Sequence, residues 1–299
     1  MIRSMWSAVS GLRNHQIYLD VTGNNIANVN THGYKSTRAV FEDSLSQIVR
    51  NASGPIPGGV GGINPAQIGL GVRLGQILGN FVQGGLQVTN VATDIAIQGD
   101  GFFAVDKGGQ KFYTRNGAFT LDTAGNLVTS DGSYAQGQMN TQAAAGPPVV
   151  MDPYVPAINP ATGLFTGTAA RINISADRWQ SFQIGPDGKI SGVAVGDSTG
   201  TLQTIGQLVI TKFNNPPGLE RIGGTMFRET LNSGVPVTSF PANSQTGMGL
   251  VSSGTLELSN VDLAGEFTNL IMAQRGFQAN SRVVTASDEV LQDLINMKR

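Results

Sequence analysis

The chain has two histidines, His15 and His32, and the first half of its β-patterned region carries four aspartates, Asp94, Asp100, Asp122 and Asp131. A Ser-His-Asp triad or a histidine-bearing metal site needs imidazoles placed beside a nucleophile or beside further ligands. Here the two histidines stand alone, one inside a helix-patterned stretch and the other at its end, where packing or a surface position accounts for them. Two of the aspartates facing one another across a sheet could act as a glycosidase acid and base. Asp100 and Asp131 each precede a glycine, however, and Asp122 lies in Asp-Thr-Ala-Gly-Asn, so turn geometry already explains them. Asp122 to Leu127 does not follow the calcium-loop pattern. The Gly-Pro stretch from Asn51 to Pro65 lacks both a strand leading in and the Lys-Ser or Lys-Thr of a phosphate loop. The sequence therefore predicts no catalytic residue, no metal and no cofactor.

What remains to be explained is the pair of chain ends. Leu263, Leu270, Phe277, Val284 and Leu291 recur every seventh residue, and Phe267, Gln274, Ser281, Asp288 and Ile295 fill the interleaved positions. That alternation of four and three is a coiled-coil seam. Ser259, with Asp262 three residues on, places the helix start near Ser259 or Asn260. At the other end Ile2, Met5, Val9, Leu12, Gln16, Leu19, Gly23 and Ile26 step by three and four, with no proline before Pro55. Asn30 and Gly33 suit left-handed caps, so this helix is expected to end between Asn28 and His32. Polar residues within both seams weaken a simple two-stranded zipper. The expectation is that neighbouring copies complete these helices; an intramolecular hairpin is the competing reading.

Composition points the same way. Charged residues make up 13% of the chain against about 25% in ordinary domains. Such a surface is either neutral and polar or hidden in an assembly. A formal net charge of −1 gives no reason to expect nucleic acid or an anionic membrane. There is no cysteine, and no window of about 18 apolar residues that would span a bilayer. The first fourteen residues lack the unbroken apolar core of a signal peptide.

Between the ends the period changes to two, with hairpin signals at Asn116-Gly117, Gly125-Asn126, Asp131-Gly132 and Pro186-Asp187-Gly188. Phe102, Phe103, Phe112, Tyr113 and Phe119 read as a sheet core. The expected fold class is α+β. Residues 1–33 and 259–299 form a helical part, 34–75 a linker or extended connector, and 76–258 a mainly antiparallel β domain with 137–170 as an irregular insertion.

Several stretches are familiar. Leu19 to Lys35 (LDVTGNNIANVNTHGYK) and Ser259 to Leu291 resemble the N- and C-terminal signatures of the bacterial flagellar rod and hook proteins. Gln67 to Val72 (QIGLGV), Asp94 to Phe103 (DIAIQGDGFF), Tyr113 to Phe119 (YTRNGAF), Phe213 to Leu219 (FNNPPGL) and Phe227 to Gly234 (FRETLNSG) are similar to landmarks of that family's β domain. The resemblance covers nearly the whole chain in order. Within the family, Gly276 to Arg282 (GFQANSR) looks like the hook branch, with the distal rod branch as the alternative.

The resemblance implies terminal helices packed as an inner tube around a channel, a β outer layer, and helical self-assembly into the hook without enzymatic activity. It implies as partners further copies of the chain, the distal rod protein, the hook–filament junction protein, a hook cap during assembly and the flagellar export apparatus. It places the chain in the flagellum outside the cell, exported without a cleaved signal. The residues expected between subunits are Ile2, Met5, Val9, Leu12, Leu19 and Ile26 at one end, and Leu263, Phe267, Leu270, Phe277, Val284, Leu291 and Ile295 at the other. Glycines in Asn51 to Pro65 would let subunits shift as a bending joint requires.

Overall fold

The structure, a computed structural model, describes residues 2–54, 61–140, 155–159, 162–167, 169–196 and 200–297. Within these the fold is α+β: an N-terminal helix, a C-terminal helix and a mainly antiparallel β core. Two compact units are present. The helical unit comprises Met1–Ala27, Ser36–Asn80 and Val261–Arg299; the β unit comprises Asn28–Lys35 and Phe81–Asn260.

In the helical unit, α1 spans Ile2–Ala27 and α2 spans Leu263–Asn296. At about 1.5 Å per residue, α2 is roughly 50 Å long. Its start differs from the sequence expectation. Asp262, not Ser259, caps it, accepting a hydrogen bond from the Ala264 amide at 3.1 Å, with Glu266 in the first turn. Just before it, the Leu258 amide is bonded to the Gly85 carbonyl and the Asn260 side chain to the Val82 carbonyl. At the other end α1 stops one residue short of the expected range. Gly33 adopts φ +68° as expected of a left-handed position, while Asn30 does not take a positive φ.

Residues 34–75, expected as a linker or extended connector, are extended and in large part paired. β1 (Thr37–Asp43) pairs antiparallel with β4 (Val72–Gly79), and β2 (Ser46–Arg50) pairs with β3 (Ala66–Gly69). Bonds from Ser44 to Gly71 and from Leu70 to Leu45 join the two pairs, and Ser53 pairs with Ile63 beyond them. The result is one two-stranded ribbon running from Ser36 and Asn80 to Ser53 and Ile63. Residues 55–60, the centre of the expected flexible connector, lie outside the described residues.

The base of the ribbon is clasped by polar residues of α1. Asn14 donates to the Val72 carbonyl at 2.7 Å. Asn25 donates to the Thr37 carbonyl at 2.7 Å and accepts from the Thr37 amide at 3.0 Å. Tyr18 meets Phe41 edge-on, with ring centroids 5.8 Å apart. Buried asparagines with both ends of the amide satisfied cost little and fix register.

The β unit is built on a thirteen-stranded sheet. Its main path runs Trp179–Ile184, Lys189–Ala194, Leu202–Leu208, Tyr134–Met139, Phe102–Lys107, Gln110–Thr114, Met226–Arg228 and Glu220–Gly223. The central strand Phe102–Lys107 shows how the sequence patterns both faces. Phe103 and Val105 join a core with Ile95, Leu127, Ile190 and Ile210. Phe102 and Ala104 point the opposite way, into a second core with Tyr113, Phe213 and Phe227. A period of two with apolar residues in both phases is what a strand covered on both faces requires. All five aromatic residues expected in the sheet core are buried. Of the expected insertion at 137–170, the described part begins as sheet, since Tyr134–Met139 pairs with Leu202–Leu208; residues 141–154 lie outside the described residues.

Tyr113 provides a test of the second core. Its hydroxyl donates to Glu229 at 3.1 Å. Burial first, and the Glu229 charge second, push its pKa far above the ordinary value of 10.0. The folded chain therefore holds this proton where the unfolded chain releases it, so stability is full below about pH 10 and falls as pH rises further. Urea unfolding at pH 9 and pH 11 is expected to show this fall, and Tyr113→Phe to make it shallower.

Candidate assembly surface

The two terminal helices close on each other through small and polar residues. Asn25 donates to the Glu266 carboxylate at 2.8 Å. A side chain at Gly276 would overlap the His15 ring, and one at Gly11 would meet the Asn280 side chain at 2.9 Å. As the numbers rise on α1 they fall on α2, so the helices run antiparallel. Ala8 and Ala273 are buried. Asn280 donates back to the Gly276 carbonyl at 2.9 Å, which turns its amide along its own helix. Glycine and alanine at such a seam let helix axes approach closely, and they bury little apolar area in doing so.

The larger apolar residues are consequently left with partial cover or none. Met5, Val9, Leu12, Leu19 and Ile26 on α1, and Leu270, Val284 and Leu291 on α2, are half-buried. Ile2 begins α1. Leu263, Phe267 (51% exposed), Phe277 and Ile295 (68% exposed) are exposed on α2. Trp6, Ile271, Met272, Val283, Val290 and Leu294, which the heptad pattern did not single out, are exposed as well. The signal for them was available in the sequence: apolar residues lie at more than two heptad positions of α2, and one partner helix cannot cover them all.

The residues considered for catalysis do not converge. Asp100 pairs with Lys212 at 2.9 Å and Asp131 with Lys107 at 3.2 Å. Asp94 lies in a bridge with Ala118. Asp122 accepts from the Asn126 side chain at 2.8 Å and from the amides of Asn126 and Ala124, bonds that hold its carboxyl below the usual carboxylate range. His15 packs against Phe41, with ring centroids 6.4 Å apart. Among the described residues no three His, Asp or Glu side chains are grouped to hold a metal, and no helix is long and apolar enough to cross a membrane.

The β unit contains a charged cluster that the sequence reading missed. Lys35 and Glu257 form an ion pair at 2.6 Å with both side chains fully buried. The same carboxylate oxygen accepts the Gly84 amide at 2.9 Å, and the other faces Arg115 at 3.4 Å. Lys35 also donates to the Val82 carbonyl at 3.0 Å, and Arg115 to the carbonyls of Gly99 at 2.6 Å and Ile97 at 3.2 Å. The Gly33 amide bonds the Glu257 carbonyl at 2.8 Å. Through its carboxylate Glu257 holds Lys35, Gly84 and Arg115, and through its carbonyl it holds Gly33. Burial pulls the pKa of both Lys35 and Arg115 down, and the Glu257 charge opposes it. Lys35 and Arg115 each lie inside a stretch that carried the family resemblance, which was the available signal.

Comparison with known proteins agrees with this geometry. Three family descriptions match the chain in order: "Flagella basal body rod protein" over residues 5–35, "Flagellar hook protein FlgE/F/G D1 domain" over 96–192, and "Flagellar basal body rod FlgEFG protein C-terminal" over 252–297. The chain is 44% identical to the flagellar basal-body rod protein FlgG of Bacillus subtilis over 302 aligned positions, covering all of both chains. It is 34% identical to the rod protein FlgG of Borreliella burgdorferi, again over 302 positions and all of both. Against the flagellar hook protein FlgE of the same organism the identity is 30%, and the alignment extends to 444 positions with both chains covered in full. These relatives are structural proteins, not enzymes.

The buried cluster gives the prediction here. Removing one member strands the others without compensation. Glu257→Gln is expected to lower unfolding free energy by about 3–5 kcal/mol. Breaking the exposed Arg228–Glu220 pair with Glu220→Gln is expected to change it by less than about 1 kcal/mol. Urea unfolding of the three chains checks both.

Proposed function

Because this chain belongs to the bacterial flagellar rod and hook protein family, a family of axial structural proteins that form helical polymers in the flagellum, we propose that it is a distal rod subunit of the basal body. The observation that carries this reading is length: the rod relatives align along their whole extent with almost no gaps, whereas the hook relative carries a long extra segment. The sequence expectation of a hook subunit is replaced for physical reasons also. Within the hook-like stretch Gly276 to Arg282, Gly276 and Asn280 are accounted for by the close approach of α1 and α2 and carry no information about bending. The stretch expected to be a loose connector is, in its described part, a hydrogen-bonded ribbon, which suits a stiff shaft better than a flexible joint.

In this reading the paired helices line a tube, with coiled-coil-like contacts between copies. The half-buried and exposed apolar residues of α1 and α2 are covered by neighbouring copies: Ile2, Met5, Val9, Leu12, Leu19 and Ile26 on one helix, Leu263, Phe267, Leu270, Phe277, Val284, Leu291 and Ile295 on the other. Each newly covered side chain contributes roughly 1.5–3 kcal/mol, which offsets the cost of ordering long helices. The contacts are heterologous and do not close, so they generate a filament. The subunit leaves the cell through the flagellar export apparatus without a cleaved signal. In this reading its distal neighbour is the hook protein rather than the hook–filament junction protein.

Electron microscopy of the purified full chain under polymerising conditions tests the reading. Straight tubes are expected. Bent tubes would return the chain to the hook branch, and a chain that never polymerises would remove the assembly argument altogether. Phe277→Asp is expected to raise the concentration needed for polymer at least tenfold, with urea unfolding of the β unit unchanged.

A further inference from the structure

In the β unit, the turn that follows strand Met226–Arg228 holds Leu231 entirely in solvent, at 106% relative exposure, with Val235 four residues on at 82%. A single exposed leucine needs no explanation. This turn is different because it is locked. The Thr230 hydroxyl donates to the Gly218 carbonyl at 2.6 Å and accepts from the Asn232 amide at 3.2 Å. The Ser233 hydroxyl, in a residue with no exposure, donates to the Thr230 carbonyl at 2.7 Å and accepts from the Thr230 amide at 3.0 Å. From the neighbouring corner, Asn215 donates to the Asn232 carbonyl at 2.8 Å. A side chain at Gly218 would meet the Asn232 backbone at 2.8 Å, so the two loops are already in contact.

These bonds hold the backbone on both sides of Leu231 while giving its side chain nothing to pack against. An anchor whose loop is ordered beforehand loses little entropy when it docks. From this we infer that Leu231 and Val235 form a contact knob for a second copy of the chain. The occupant follows from size as well as family. Stable association of a separate partner usually buries about 800 Å² on each side, far more than two aliphatic side chains provide. A knob this small functions only as one contact among several between molecules already held together, which is the situation of copies in a polymer. A non-closing contact also joins unlike patches, so the knob need not meet its own counterpart. This inference rests on the rod reading and adds to it a contact outside the terminal helices.

The absence of cysteine makes the test direct, since Leu231→Cys creates the chain's sole thiol. Its rate of reaction with a maleimide is compared in the free chain and in polymer. At least a tenfold slowing in polymer is expected. Equal rates in the two states would overturn the knob while leaving the rod reading intact, because polymer would be present in the same tube. A parent chain that forms no polymer overturns both. Leu231→Asp, a change that removes no contact within the fold, is expected to raise the polymerising concentration severalfold; an unchanged concentration would contradict the inference.

Discussion

The structure depends on how the two terminal helices are allowed to meet. Their shared seam is made at Gly11 against Asn280, Gly276 against His15 and an Asn25–Glu266 hydrogen bond. Such residues bring backbones close and fix an antiparallel register, but they bury little apolar surface. Phe267, Ile271, Met272 and Phe277 of α2 are left exposed, and Leu270, Val284 and Leu291 only half-buried. A helix of 34 residues with phenylalanine, isoleucine and methionine on its open side is poorly served as a monomer. In the proposed reading, the constraint that closes the hairpin leaves the open faces that further copies cover, and a low charge fraction across the chain suits that burial.

The β unit meets a different requirement. Residues 28–35 belong to it although they follow directly from α1, and they are held by the fully buried Lys35–Glu257 pair with Arg115 at its edge. A buried ion cluster is a poor source of net stability compared with apolar packing, yet it tolerates no alternative register, because each displaced charge would be left unpaired. It specifies one position for this segment on the sheet.

Much of this was legible in the residues. The terminal helices followed from heptad spacing and the absence of proline, and the strands at Trp179–Ile184 and Lys189–Ala194 from alternation around a Pro-Asp-Gly turn. Boundaries were less so: Ser259 looked like a cap, but Asp262 caps the helix, and ahead of it the Leu258 amide and the Asn260 side chain bond residues 85 and 82. The pairing within residues 36–80 was not legible because it joins residues tens of positions apart and the strands do not alternate cleanly. The buried cluster was illegible for a related reason. Lys35, Arg115 and Glu257 meet only in three dimensions, and nothing near any of them in sequence announces burial. In the stretch Gly276 to Arg282, which read as hook-like, Gly276 and Asn280 serve helix packing, so they say little about the branch.

The central claim is that the open apolar side of α2 becomes covered when copies assemble. Residue-resolved hydrogen exchange on the full chain, free and polymerised, measures this directly. The account predicts that amides from Val283 to Met297 gain at least tenfold protection in polymer, while those of the β core around Phe103 and Val105 change little. Equal exchange along α2 in the two states would contradict it.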